Sequence, residues 1–148
     1  MVRSLFTFVL LTCAASRVLA ADFEDASKVT EALFAGMAAH DAQKIRSTLL
    51  PNAQFCVVRG DSPPTVSAAE DFITHVAASK QSLIERYTKP AYAQVHGRMA
   101  NVWGEYELLV DGKFAHCGVD SFTLFKTSEG WKIATIAYTA ETAGCPAH

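Results

Sequence analysis

The feature that most constrains the fold of this chain is a pair of strand-like runs in its C-terminal half. Residues 114–126 and 131–139 are rich in Val, Ile, Phe, Thr and Tyr, which favour a pleated, half-buried surface. The polar residues 127–130 between them are typical of a tight turn, and Gly130 can adopt the positive φ that closes such turns. The sequence therefore predicts a long antiparallel hairpin that organises the rest of the chain.

One face of the first strand of this hairpin carries two ionisable groups among apolar neighbours. Strand side chains alternate between the two faces of a sheet, so one face holds His116, Gly118, Asp120, Phe122 and Leu124. A carboxyl and an imidazole on such a face either line a pocket or lie on a sheet face that is open to water. Which of the two holds is the functional question for this protein.

The N-terminal end has the pattern of a secretory signal peptide. Arg3 precedes an almost wholly apolar run at residues 5–11, and small residues follow up to Ala20. We expect cleavage after Ala20, which leaves residues 21–148 as the mature domain and predicts a secreted or periplasmic protein. Cys13 permits a lipoprotein alternative, although Thr12 before it fits a lipidation box poorly.

The charge pattern excludes some classes of partner. The 148 residues include 13 Lys and Arg against 15 Asp and Glu, and loss of Arg3 and Arg17 would lower the net charge from −2 by two further units. The basic residues are scattered, which disfavours a nucleic-acid partner. We expect no membrane span after the signal peptide, and a mature chain of this length is typical of one domain.

Cysteine usage predicts one disulfide. Cys56, Cys117 and Cys145 remain after cleavage, and an exported chain meets oxidising conditions. We expect Cys117 to pair with Cys145, because Cys145 follows the strand that should lie beside Cys117. Cys56, in an apolar run, is then a buried free thiol. Neither zinc-ligand spacing nor a phosphate-binding loop occurs, so no metal and no cofactor is expected.

The order of the elements predicts an α+β fold. Helical spacing covers residues 23–39, and a short helix begins at Asp41 and ends before Pro51. A strand follows at residues 53–59, and Ser67 and Glu70 form the pattern of a capping box for a third helix. Turns at Gly97, Asp111–Gly112 and Gly130 then separate four strands at residues 83–95, 99–110, 114–126 and 131–139. This order predicts helices on one face of a curved antiparallel or mixed sheet.

The element order and the hairpin sequence together resemble the nuclear transport factor 2-like superfamily, also called SnoaL-like or cystatin-like. The most specific part is HCGVDSFTLFKTSEGWKIATIAYT with the Gly-Cys-Pro tail, and AAHDAQKIRSTLLPNAQF is a weaker match. The resemblance spans the mature chain. It implies a cone-shaped sheet with about three N-terminal helices on its concave face, a cavity for a small molecule, and a homodimer formed through the convex face, where Trp103 is expected.

The same resemblance argues against ketosteroid isomerase activity. Asp120 falls where those enzymes hold the protonated Asp of their oxyanion hole. Their general-base Asp falls on Val57, however, and their oxyanion-hole Tyr falls on Leu33. Two of the three working groups are therefore replaced by apolar side chains, and fold alone does not fix chemistry.

The register of the hairpin decides which side chains share the face of Asp120. A two-residue register places Ala137 opposite Asp120, whereas a three-residue register pairs Asp120 with Tyr138 and Gly118 with Ala140. The resemblance favours the second register and turns Tyr106 and Leu108 inward. The ligand-binding residues that it implies are Leu33, Met37, Phe55, Val57, Tyr106, Leu108, His116, Asp120, Phe122, Ile136 and Tyr138.

Three functions are compatible with such a cavity. The leading hypothesis is binding of a small apolar or aromatic molecule. The second is an isomerase, cyclase or dehydratase that uses Asp120 with Tyr138 or His116. The third is a dimeric scaffold with a filled, dry cavity. Separately, Asp120 and Tyr138 could have a purely structural role, in which they only satisfy each other's hydrogen bonds. His116 lies about 13 Å from Asp120 along the strand, so these two would act on opposite ends of a ligand.

Overall fold

The structure is a computed structural model that describes the backbone of residues 5–145 and the side chains of residues 22–145. The predicted signal peptide, residues 1–20, lies outside the residues with described side chains. Its cleavage and the export of the protein stay predictions. The helices and strands are α1 Leu5–Ala38, α2 Ala42–Ser47, β1 Leu49–Arg59, β2 Thr65–Ala68, α3 Ala69–Ala78, β3 Leu83–Tyr87, β4 Tyr92–His96, β5 Met99–Val110, β6 Lys113–Thr127 and β7 Gly130–Ala140.

The predicted α+β class is confirmed by one curved, unclosed sheet of seven strands with three helices against it. The strand order is β2-β1-β7-β6-β5-β3, and β4 pairs with the first half of β5 while β3 pairs with the second half. β1 runs parallel to β7 and every other pair is antiparallel, so the sheet is mixed. Among the described residues, the helices include none that is long and apolar enough to cross a membrane.

Two stretches differ from the sequence prediction. Leu49 and Leu50 belong to β1 and not to α2, which Asp41 caps as expected by accepting a hydrogen bond from the Lys44 backbone N–H at 2.9 Å. Residues 83–95 form two strands, because Pro90 has no N–H for a ladder and restricts the residue before it.

The capping box predicted at the start of α3 does not form. Ser67 lies in β2, the additional edge strand, and Ala68 precedes the helix with no side-chain cap. The carboxylate of Glu70 forms an ion pair with Arg46 of α2 instead. This pair joins the two short helices, whereas a capping box would have engaged Glu70 within its own helix.

The hairpin of β6 and β7 combines features of both predicted registers. Thr127 pairs with Gly130, so the turn itself has two residues. Ala134 is then an extra residue of β7 opposite Thr123 and Leu124 of β6, and this bulge shifts the pairing by one residue, so that Asp120 faces Tyr138 as predicted. A two-residue turn followed by a bulge therefore gives the register that the resemblance implied.

The concave face of the sheet holds most of the core. Phe34 of α1 contacts the rings of Tyr87 and Phe122 edge-on, and Phe72 of α3 stacks on Phe55 of β1 with ring centroids 4.3 Å apart. These contacts fix α1 and α3 over the sheet. They leave space between the two helices, the second half of β5 and the first half of β6, where the candidate site lies.

The predicted disulfide between Cys117 and Cys145 is present, with Cα atoms 5.9 Å apart. Beside it, Cys117 and Glu141 exchange two backbone hydrogen bonds of 2.9 and 2.8 Å, which hold the C-terminal segment against β6. Cys56 is a free thiol, as predicted, but it is only half-buried and lies on the convex face opposite Val66 and Ala137.

Candidate functional site

A cavity of about 220 Å³ lies between the helices and the concave face of the sheet. Apolar side chains form most of its wall, and a smaller set of polar groups comes from four strands and one helix. The lining residues are Leu33, Met37, Phe55, Arg59, Phe72, His75, Val76, Leu83, Glu85, Leu108, His116, Asp120, Phe122, Ile136 and Tyr138. Arg59 and His75 are exposed while Asp120 and Phe122 are buried, so the cavity opens to solvent at the former pair.

Nine of the eleven residues predicted from the sequence lie in this wall, which places them together but does not test whether they bind a ligand. The other two lie beside the cavity. Val57 is buried next to Tyr138 in the sheet, and Tyr106 is buried behind His116. Val57 therefore shapes the wall from behind, and Tyr106 acts on the cavity through His116.

Asp120 is the most unusual group in the cavity. Its side chain is only 2 % exposed, and its Oδ2 is buried with no hydrogen-bond partner among the described residues. Burial raises the pKa of this carboxyl to about 8, because an apolar environment disfavours the charged form. Asp120 is therefore mostly a neutral acid at pH 7.

The expected hydrogen bond between Asp120 and Tyr138 is absent. The two residues are directly opposite each other on β6 and β7, but the Tyr138 hydroxyl accepts a hydrogen bond of 3.4 Å from Arg59 Nη2 instead. Burial raises the pKa of Tyr138, and the positive charge of Arg59 opposes that shift. The interpretation of Asp120 and Tyr138 as a self-satisfied structural pair is wrong, and Asp120 Oδ2 has no hydrogen-bond partner among the described residues.

His116 has a fixed orientation and tautomer. The Tyr106 hydroxyl donates to the Thr139 carbonyl at 2.8 Å, which commits its only proton. His116 Nδ1, 3.1 Å from that hydroxyl, must therefore be the donor between the two rings. Burial and then the charge of Arg59 lower the pKa of His116. The imidazole is neutral at pH 7, and its Nε2 carries a free lone pair.

Gly118 makes this arrangement possible. A Cβ at Gly118 would lie 2.1 Å from the Thr139 carbonyl oxygen, so only glycine lets that carbonyl cross β6. The ladder between β6 and β7 is interrupted here, between the Asp120–Tyr138 pair and the bridge of Cys117 with Glu141. The carbonyl is thereby free to accept the proton of Tyr106.

Glu85 is a second carboxyl in the cavity and was not predicted from the sequence. It lies on β3 opposite Leu108, half-buried, and burial followed by the charge of Asp120 raises its pKa well above the usual value. A signal for it exists, because Glu85 alternates with Leu83 and Tyr87 and so shares their face. Without the pairing of β3 with β5, that face could not be assigned to the cavity.

Five further residues at the cavity were also missed, and one of them is Leu83, two residues before Glu85 on β3. Arg59 is two residues beyond Val57 on β1, so the alternation that placed Phe55 and Val57 on the concave face also predicts that Arg59 lies on that face. Phe72, His75 and Val76 come from α3, whose docking onto β1 is a long-range contact that a helical period does not reveal.

Comparison with solved structures identifies the fold. No protein-family model matches the sequence, and no curated protein matches it. An NTF2-like protein with a cystatin-like fold from Novosphingobium aromaticivorans superposes with a TM-score of 0.73 at 16 % identity, over 92 % of each chain.

Two further structures are similar. A protein described as a candidate dehydratase of the NTF2-like family, from Streptomyces avermitilis, gives a TM-score of 0.66 at 17 % identity over 81 % of this chain and 96 % of its own. A protein described as a candidate aromatic ring hydroxylase, from Novosphingobium aromaticivorans, gives a TM-score of 0.67 at 16 % identity, over 84 % of this chain and 90 % of its own. At these identities the likeness concerns the fold alone, and this protein has the nuclear transport factor 2-like, cystatin-like fold.

Proposed function

We propose that this is an exported protein that binds one small, largely apolar molecule in the cavity beneath α1 and α3. The observation that carries the proposal is Asp120, whose buried Oδ2 has no hydrogen-bond partner among the described residues, in a cavity with mostly apolar walls. A buried polar atom without a partner costs about 1–3 kcal/mol, and a ligand that supplies the missing hydrogen bond recovers part of that cost.

The size of the cavity limits the ligand. An engineered cavity of about 150 Å³ holds benzene. The volume of about 220 Å³ here suits one substituted ring or a short branched chain, and a steroid nucleus is too large for it. The rings of Phe55, Phe72 and Phe122 in the wall favour an aromatic or apolar frame.

The experiment that tests binding uses toluene as a neutral single-ring probe. We expect toluene to shift the NMR signals of the Leu33, Leu108 and Ile136 methyl groups together, because all three line the cavity. Leu108→Trp fills the cavity and should abolish the shifts. Leu109→Trp is the matched control, because Leu109 pairs with Ile84 and is not in the cavity wall. Unchanged methyl signals in the wild-type protein would contradict the proposal.

Native mass spectrometry of protein purified from its own cells complements this titration. We expect a mass above that of the chain, which returns to the chain mass after denaturation. The mass difference then identifies the class of natural ligand. A protein that carries no added mass and takes up no probe would favour the scaffold hypothesis instead.

The oriented His116 favours a second candidate function, acid–base catalysis. Its Nδ1 is held by Tyr106, and Nε2 is the free base on the cavity side. The Kemp elimination of 5-nitrobenzisoxazole tests this directly: a base removes the C3 proton, the nitrile forms, and the N–O bond breaks to release the phenolate. We expect a rate that rises through a pKa below the usual 6.5 of histidine and is lost in His116→Gln. A rate equal to that in buffer would reject it.

We also propose that the protein forms a homodimer through the convex face of the sheet. One row of side chains crosses six strands there, and its members, in order, are Val66, Cys56, Ala137, Ser121, Trp103 and Tyr92. Trp103 is 54 % exposed and Tyr92 is 61 % exposed. Large aromatic side chains on an apolar row are typical of interface anchors, and a second copy presents the same row.

A further inference from the structure

We propose that the ligand of the cavity carries a cationic nitrogen, as an amidinium or ammonium group on a single ring or short apolar frame. That group donates hydrogen bonds to Asp120, and Glu85 contributes the second negative charge that balances it. This inference rests on the proposed binding function and adds to it the chemical class of the ligand.

The first support is that two carboxyl groups face one cavity. Asp120 comes from β6 and Glu85 from β3, on either side of β5. Gly104 of β5 is directly opposite Asp120, and the ring of Tyr87 occupies the place of its missing side chain. The charge of Asp120 acts on Glu85 and raises its pKa, so the two groups interact across the cavity.

The second support is that, among the described residues, few positive charges lie near the two carboxyls. Arg59 is the only Lys or Arg among the described residues of the cavity wall. Its guanidinium donates to Tyr138, and its charge opposes the raised pKa of Tyr138 and lowers the pKa of His116. A ligand that brings a cation offsets the burial of both carboxylates and their mutual repulsion. A neutral ligand could fill the space and offset neither.

The other ionisable groups around the pair do not supply a cation. On the sides of α1, β3 and β5, Tyr87 donates to Thr30 at 2.8 Å and Tyr106 donates to Thr139, so their protons are committed. Glu31 of α1 and Arg86 of β3 line a neighbouring pocket with Glu85; Glu31 is itself an acid, and the guanidinium of Arg86 forms an ion pair with Glu107. His116 is kept neutral by burial. The remaining groups, at the mouth, are Arg59 of β1, His75 of α3 and Tyr138 of β7.

Binding of a cation is then linked to release of a proton. Asp120, with its pKa of about 8, is protonated in the empty cavity at pH 7 and has to ionise to pair with the cation. Below about pH 8 the affinity for a cation should therefore fall as the pH falls, by about tenfold per pH unit when one proton is released. Above the pKa of the pair it should become independent of pH. A neutral ligand that accepts a hydrogen bond from protonated Asp120 would show the opposite trend.

The test compares benzamidine, benzamide and benzoate. These are single-ring molecules of nearly the same shape that are, respectively, a cation, a neutral amide and an anion. Isothermal titration calorimetry in two buffers of different ionisation enthalpy gives both the affinity and the number of protons released. We expect benzamidine to bind at least about tenfold more tightly than benzamide at about pH 8, and this preference should shrink toward about pH 6.

Variants locate the effect at the two carboxyls. Asp120→Asn and Glu85→Gln should each reduce the preference for benzamidine about tenfold or more, and Asp120→Asn should in addition remove the proton release that this carboxyl supplies. Glu85 is only half-buried, so Glu85→Gln keeps the test valid if Asp120→Asn does not fold. Asp71→Asn is the matched control, because Asp71 is an exposed carboxylate on α3 outside the cavity wall, and it should bind benzamidine as the wild type does.

The outcomes separate this inference from the proposed function. If benzamide or benzoate binds as tightly as benzamidine, or if benzamidine affinity does not change with pH, the cationic ligand is rejected while binding in the cavity stands. If none of the three binds but toluene does, the cationic ligand is again rejected. If toluene also fails to bind, both proposals fall.

Discussion

Asp120 connects the stability of this protein to its site. Its pKa is about 8 in the folded protein and near 3.8 in an unfolded chain, so between these values the folded state holds a proton that the unfolded state has lost. Stability therefore decreases as the pH rises from about 4 to about 8, and this destabilisation is fully present above pH 8. The slope contributed by one such group is at most about 1.4 kcal/mol per pH unit.

Asp120→Asn should remove this slope, because asparagine has nearly the same shape and does not ionise. We expect urea unfolding to show a variant that is more stable than the wild type at about pH 8 and that loses this advantage toward about pH 4. Asp71→Asn, at an exposed position, should follow the wild-type curve. Identical pH dependence of Asp120→Asn and the wild-type protein would show that the carboxyl is ionised in the folded state.

Gly118 controls the hydrogen bonding of His116, which lies two residues earlier on β6. Gly118→Ala places a Cβ 2.1 Å from the Thr139 carbonyl, which must move away from the Tyr106 hydroxyl. We expect a loss of about 1–3 kcal/mol of stability from this overpacking. We also expect a change in the ¹⁵N shifts of the His116 ring, because Tyr106 can then donate to Nδ1.

Tyr106→Phe is the companion to Gly118→Ala. It removes the acceptor of His116 Nδ1 without a clash, so it should change the same ¹⁵N shifts while leaving Gly118 and the backbone of β7 in place. Unchanged His116 shifts in both variants would contradict the assigned tautomer.

Local patterns predicted much of the sheet because turns and alternation are local. Positive φ angles at Gly97, Gly112 and Gly130 fall at the turns expected from glycine, and Asp111 also adopts one, of 52°. The prediction that Leu49 and Leu50 belong to a helix was wrong, because a short apolar pair suits a helix or a strand equally well. Only the parallel pairing with β7 decides between them.

The candidate site was predictable to the extent that it follows alternation along one strand. His116, Asp120 and Phe122 follow from the period of β6, and Ile136 and Tyr138 from the register of β7. The positions of the remaining polar residues of the cavity wall depend on which strands become neighbours in the sheet. The position of Glu85 in particular depends on the pairing of β3 with β5. The missing hydrogen bond of Asp120 is a matter of side-chain geometry that no sequence pattern contains.

The disulfide makes a prediction at the scale of the element. It closes a loop with a sequence separation of 28 residues, which corresponds to about 3 kcal/mol in the chain-entropy account. Cys145→Ser should lower the free energy of unfolding by about that amount and should speed amide exchange at Glu141, whose N–H bonds the Cys117 carbonyl. The control is Cys56→Ser, a free and half-buried thiol, which should cost much less. A reductant that leaves the wild-type stability unchanged would contradict a stabilising bridge.

At the scale of the whole molecule, the curved sheet divides the chemistry between its two faces. The concave face carries the cavity with its carboxyls and imidazole, and the convex face carries the apolar row with Trp103 at a central strand. The two faces alternate along the same strands, so His116 and Cys117, or Asp120 and Ser121, serve different surfaces from adjacent positions. Binding and self-association can therefore be altered by separate substitutions.

Trp103→Arg is the substitution that tests self-association. In the proposed dimer an Arg in place of Trp103 is buried without a partner, so the uncompensated charge and the lost aromatic contact should both weaken the dimer. Sedimentation velocity at micromolar concentration should show a dimer for the wild-type protein and a monomer for Trp103→Arg, with toluene still bound by both. Phe23→Arg is the matched control, because Phe23 is an exposed apolar residue of α1 away from the convex face, and it should remain dimeric. A wild-type protein that sediments as a monomer would reject the convex face as a homodimer interface.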